Sequence, residues 1–243
     1  MKDLLRLERH GEELPVVWFY PTQIEWNGEL VVWVDGRGKE SLVGANNEPR
    51  AEVQELLAQG FAIAGLDLFM QGEFLHDGQP LMETRANRAP RPSAVYTFGY
   101  NHTLFVRRVH DILTLVAFVH DDERSAKISL VGAGGAGPIV AVASALLGDA
   151  IERRVVDTEG FRFGELQSYR DVNFLPGAVK YGDLPAILAL SAPHRLWIAG
   201  EGEALPDVIE DAYRASGAPG HLHRVDRGLE QLVRETFQAA GAK

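Results

Sequence analysis

The 243-residue chain has no cysteine. That excludes a disulfide framework and thiolate chemistry, and it leaves the compartment open. Basic side chains are also scarce, with 24 Lys and Arg against 34 Asp and Glu, for a net charge of −10. A chain so acidic lacks the basic face that displaces counterions from nucleic acid or binds anionic lipid, so neither partner is expected. No apolar run approaches the ~20 residues of a membrane-spanning helix. The first residues, Met1 to Arg9, are charged too often for a secretory leader, so the chain reads as soluble. Repeats and low-complexity tracts are missing too, and the simplest organisation is one domain over residues 1–243.

What remains is ordinary globular material, 46% apolar and 24% charged. Residues 16–20 and 30–34 are rich in β-branched and aromatic side chains and read as strands. A helical stripe of Ala51, Val53, Leu56 and Leu57 follows Pro49 and stops at Gly60. Residues 61–68 form a nearly all-apolar strand of the kind that lies between two helical layers. Residues 70–100, with Pro80, Pro90 and Pro92, read as a long loop. Phe105, Val109, Ile112 and Val116 predict a helix over 103–119. Strands at 127–131, 153–157, 195–199 and 221–225 then alternate with helices at 139–147, 184–190, 205–215 and 229–240. This alternation predicts an α/β fold, a three-layer α/β/α sandwich around a mostly parallel sheet.

The most informative segment joins the strand at 127–131 to the next helix through Gly132-Ala133-Gly134-Gly135-Ala136-Gly137. It matches the dinucleotide pattern G-x-G-x-x-G, and Asp157, 20 residues past Gly137, stands where a ribose-binding acid belongs. It also reads as a nucleophile elbow, G-x-S-x-G, with Gly134 in place of Ser and Ala136 in place of the last glycine. A dinucleotide fingerprint sits in the first βα unit of its domain. Here two βα units come first, so the place in the chain favours the elbow.

From these segments the chain resembles the α/β-hydrolase superfamily, and within it the branch of acetyl xylan esterases and dienelactone-hydrolase-like proteins. The resemblance rests on VVWVDGRGKESL (32–43), FAIAGLDLFMQGE (61–73), GYNHTLFVRRVHDILTLVAFV (99–119), KISLVGAGGAGP (127–138) and the stretch 173–201. It implies an oxyanion hole built from the Asp35–Gly38 loop, chiefly Asp35 and Gly36, together with Gly135 after the nucleophile position. It implies an acid after the strand 195–199, for which Glu201 is the first candidate, followed by Glu203 and Asp207. It also implies a His after the last strand, where this chain has Asp226-Arg227-Gly228. Ser and His are therefore both missing, and a serine hydrolase needs the attacking oxygen within reach of a base.

The expectation is a hydrolase-fold homologue with a vacant nucleophile position. The alternatives are an active ester hydrolase with an unconventional site, or a dinucleotide-binding oxidoreductase using Gly132–Gly137 and Asp157. The favoured reading calls for no cofactor and no metal. It admits a small-molecule or carbohydrate ester ligand and leaves a homo-oligomer open. Asp67 and Asp157, at strand ends, are candidate ligand-rim carboxylates. His221 and His223 are placed on one strand face, His194 and Ser191 at the far edge of the sheet. His110-Asp111 and His120-Asp121-Asp122 read as a solvated helix face or cap. Trp26, Trp33, Tyr96, Phe98, Tyr100 and Phe161 are read as core aromatics rather than a sugar platform.

Overall fold

A computed structural model describes residues 1–8, 11–76, 79–85, 93–121, 127–226 and 228–238. Pro90, Pro92, Asp122 and Arg227, named above, lie outside the described residues. One sheet of eight strands holds the molecule together. The strands are β1 (Lys2–Leu7), β2 (Glu12–Phe19), β3 (Glu29–Asp35), β4 (Ala62–Leu66), β5 (Lys127–Ala133), β6 (Arg153–Asp157), β7 (Leu196–Ala199) and β8 (Leu222–Arg224). Their order across the sheet is β1-β2-β4-β3-β5-β6-β7-β8. β1 and β2 pair antiparallel, as do β2 and β4, and every pair from β4 to β8 is parallel.

The helices are α1 (Ala51–Ala58), α2 (Ala94–Phe98), α3 (Leu104–His120), α4 (Gly137–Leu147), α5 (Asp183–Ala189), α6 (Asp207–Ala215) and α7 (Leu229–Gln238). β3 explains how they are laid out. Its Leu30, Val32 and Val34 are buried in the cluster that holds Phe105, Val109, Ile112 and Val116 of α3 and Ile139 and Val140 of α4. Its Val31 and Trp33 are buried in a second cluster with Val53 and Leu56 of α1 and Leu232, Val233 and Phe237 of α7. A strand apolar on both sides has to be covered on both sides. Each such side chain contributes about 1.5–3 kcal/mol by leaving water. The three-layer α/β/α sandwich is as the alternation predicts.

α3 begins where Thr103 caps it, its hydroxyl accepting the Val106 N–H at 3.3 Å. The structure differs from expectation in three places. The charged N-terminus is half of a hairpin: β1 pairs along its whole length with β2, Lys2 opposite Val17 and Leu7 opposite Glu12. The expected loop over 70–100 contains the short helix α2. His221 sits in the turn before β8, so it does not share a strand face with His223, which stacks on Trp197 at 4.7 Å.

Candidate functional site: a closed nucleophile elbow

β5 lies mid-sheet and runs two residues further than its apolar run suggests, through Ala133. The turn is then only Gly134 and Gly135. Ala136 donates its N–H to the Ala133 carbonyl at 3.0 Å, and α4 starts at Gly137 with Pro138 in its first turn. Gly134 has φ +55°, a conformation that favours glycine. Its neighbours approach very closely. A Cβ on Gly36 would lie 1.9 Å from the Gly134 carbonyl oxygen, and one on Gly137 would lie 1.9 Å from that of Asp157. The β3 loop, the elbow and the end of β6 are thus locked by backbone contact.

A side chain at Gly134 would begin 2.6 Å from Asp35 Oδ1 and 3.1 Å from Oδ2. The Asp35 carboxylate, 1% exposed, therefore fills the volume in which a side chain at 134 would start. It is held there by Arg37. Asp35 Oδ1 accepts from the Arg37 backbone N–H at 2.9 Å and from Nε at 3.1 Å, and Oδ2 accepts from the guanidinium at 3.2 Å. These bonds, with the Asp35 charge, hold the Arg37 guanidinium above its ordinary pKa, against a smaller opposing effect of burial.

Of the donors expected for an oxyanion hole, the N–H groups of Gly36, Arg37, Gly38 and Gly135 each have an acceptor within the protein. Gly36 N–H donates to the Ala133 carbonyl at 3.1 Å and Gly38 N–H to the Asp35 carbonyl at 2.9 Å. The Arg37 N–H is taken by Asp35, as above. Gly135 N–H donates to Glu159 Oε1 at 3.0 Å. An oxyanion hole works through donors preorganised toward the developing charge. Here the Arg37 and Gly135 N–H groups meet the protein's own carboxylates, and those of Gly36 and Gly38 meet backbone carbonyls. The same Glu159 contact bears on the dinucleotide reading, because a carboxylate sits at the turn where a pyrophosphate would have to approach.

Glu201 lies just past β7, and its side chain is 1% exposed. Arg162 binds it through both guanidinium nitrogens, with NH1 at 3.1 Å from Oε1. The Glu201 hydrogen bond raises the Arg162 pKa, and burial opposes it. The carboxylate that follows β7 is thus already paired with an arginine.

His221 and His194 make their contacts away from this turn. His221 Nδ1 lies 2.8 Å from the Pro193 carbonyl, and His194 Nδ1 lies 3.5 Å from Asp149. Ser191 is buried with its hydroxyl unpartnered among the described residues.

Asp67 is not a rim group. It is fully buried, accepts the backbone N–H groups of Lys39 at 2.8 Å and Glu73 at 3.0 Å, and pairs with the buried Lys39 ammonium. It fastens the loop after β3 to the loop after β4. Asp157 is half-buried at the end of β6, where its Oδ1 accepts the Glu159 N–H at 3.1 Å and so shapes the turn that presents Glu159. Trp33 is fully buried, while Tyr96 and Tyr100 are exposed, the latter completely.

A cavity of about 680 Å³ nevertheless opens over the elbow. Its walls include Gly36, Arg37, Gly134 and Gly135 on one side and Gln71, Glu73, Arg108, Ile139 and Asn173 on the other. Arg108 is nearly buried, and its guanidinium donates to the carbonyls of Phe69 at 3.1 Å and Met70 at 3.3 Å. Burial pushes its pKa down to about 10, with Asp111 opposing.

No protein-family model matches the sequence, and no curated protein matches it. Solved structures do. The glucuronoyl esterase from Solibacter usitatus superposes with a TM-score of 0.58 at 13% identity, covering 94% of this chain and 76% of that one. A protein from Bacteroides fragilis assigned as an acetyl xylan esterase gives 0.58 at 16% identity, over 92% and 69%. Est1E from Butyrivibrio proteoclasticus gives 0.57 at 18% identity, over 100% and 99%. The chain has the α/β-hydrolase fold. In this hydrolase-fold protein, Gly134, Gly135, Asp35 and Gly36 stand together at the turn, and Glu201 follows β7. The residues that close the site, Arg37, Glu159 and Arg162, carry no motif. Their one local signal is the D-G-R-G run that puts Arg37 two residues after Asp35.

Proposed function

We propose that this protein is a non-catalytic homologue of the carbohydrate esterases, which holds a small carbohydrate ester or related ligand in the cavity above the elbow. The observation that carries this reading is the Asp35 carboxylate, placed 2.6 Å from where a side chain at Gly134 would begin. Acyl transfer needs an attacking atom, a base within hydrogen-bond reach and open donors for the oxyanion. The first volume is filled, the donors are satisfied internally, and no histidine lines the cavity among the described residues. The ligand class comes from the names of the structural neighbours and is a fold-level analogy.

The test is hydrolysis of p-nitrophenyl acetate and of acetylated xylo-oligosaccharides, with calorimetric titration of the latter. Wild-type protein is expected to leave both esters at the buffer rate and to bind the oligosaccharide. Turnover above that rate, abolished by Arg37→Ala or Glu201→Gln, would show instead an active hydrolase with an unconventional site.

A further inference from the structure

A second cavity, of about 460 Å³, lies between the β1–β2 hairpin and α3. Its volume falls in the range of small-molecule sites. Leu5 and Leu14 line the hairpin side, and Leu113, Ala117 and Phe118 the helix side. Phe118 remains 52% exposed although its ring lies 6.5 Å from that of the buried Trp18. An aromatic side chain at the edge of an apolar groove has surface left to cover.

The charges around the groove do not cancel. Glu13 is paired with Arg6 at 2.9 Å, and Glu12 lies 3.3 Å from His110. Asp111 has no such partner among the described residues. Its Oδ2 accepts the Phe69 N–H at 2.6 Å, while the adjacent Arg108 is committed to the Phe69 and Met70 carbonyls. A mostly buried carboxylate with one neutral donor, and with the charges of Arg108 and Arg107 nearby but not in an ion pair with it, is only partly compensated. On α3 it shares a face with Thr114 and Phe118, three and seven residues on, so the carboxylate and the apolar wall belong to one surface.

We infer that this groove binds a small molecule with a compact alkyl body and one ammonium head, the body against Leu5, Leu113, Ala117 and Phe118 and the ammonium against Asp111. The apolar walls supply affinity, and the carboxylate selects a cation over a neutral or anionic analogue of the same size. The groove shares no lining residue with the elbow cavity.

Calorimetric titration of the full chain at pH 8 with octylammonium, octanol and octanoate, each below its aggregation concentration, tests the assignment. Octylammonium is expected to bind saturably at one site, at least tenfold more tightly than octanol, with no binding of octanoate. Asp111→Asn keeps an acceptor for Phe69 N–H and is expected to bring octylammonium to the affinity of octanol. Ala117→Trp fills the groove and is expected to abolish both. A preference for the ammonium that survives Asp111→Asn, equal binding of octylammonium and octanol by wild type, or no saturable binding overturns the inference. Should Asp111→Asn fail to fold by circular dichroism, the wild-type comparison and Ala117→Trp decide.

Discussion

Replacing Gly134 by alanine probes the closure of the elbow directly. Two costs add. The first is backbone: φ of +55° is a left-handed conformation, and a residue with a Cβ loses about 1 kcal/mol there. The second is overlap. The new Cβ would lie 2.6 Å from Asp35 Oδ1, well inside van der Waals contact, so the carboxylate must move. Moving it gives up the bonds to the Arg37 N–H at 2.9 Å and Nε at 3.1 Å, about 1–2 kcal/mol together because Arg37 is largely solvated. Gly134→Ala is therefore expected to destabilise by about 2–3 kcal/mol in urea unfolding.

Asp35→Ala alone loses the same Arg37 contacts, about 1–2 kcal/mol. In that background only the backbone cost remains for the second change. The double variant should therefore fall short of the sum of the singles by about 1–2 kcal/mol. Additivity within about 0.5 kcal/mol would refute the claim that Asp35 occupies the side-chain volume of residue 134. Gly134→Ser carries the same Cβ and is expected to gain no ester turnover.

Other consequences follow from the same contacts. Arg162→Ala leaves the Glu201 carboxylate, 1% exposed, without its partner and should cost about 3 kcal/mol in thermal or urea unfolding, with Arg162→Ala/Glu201→Ala recovering part of it. Asp67→Ala leaves the buried Lys39 ammonium with Glu73 alone and frees two backbone N–H groups. It should destabilise by about 3 kcal/mol and weaken any ligand of the elbow cavity, measured by unfolding and titration on one sample. Burial raises the Asp111 carboxyl to about 7, its bond from Phe69 and the charges of Arg108 and Arg107 opposing and that of Glu12 adding. A folded pKa above the unfolded one means that the native state holds the extra proton between about pH 4 and pH 7. Stability should fall as pH rises through that window, by at most about 4 kcal/mol, and then level off. Asp111→Asn should flatten that part of the profile, and an unchanged slope would count against the assignment.

The parallel core was legible in the sequence because β3, β4 and β5 are short apolar runs with no polar side to mislead. The tight turn between β5 and α4 was legible because a run made only of glycine and alanine marks a close strand–helix approach. β1 was not legible. An edge strand buries little, and the partly buried positions of Lys2–Leu7 are only Leu5 and Leu7, too few for a period to emerge. The closure of the site was hidden for a different reason. It depends on side chains meeting across the chain: Glu159 reaches Gly135 from 24 residues away, and Arg162 reaches Glu201 from 39. Asp67 looked like a rim group because it ends a strand, and only the fold reveals that Lys39 covers it.

The Asp35 carboxylate also acts as a ratchet on the history of the elbow. A descendant that acquired serine at 134 would first need to surrender Asp35, and surrendering Asp35 releases the Arg37 turn that shapes the loop. Taken singly, either step lowers stability with no gain in chemistry. A route to a nucleophile at this position thus crosses a valley that neutral drift seldom spans.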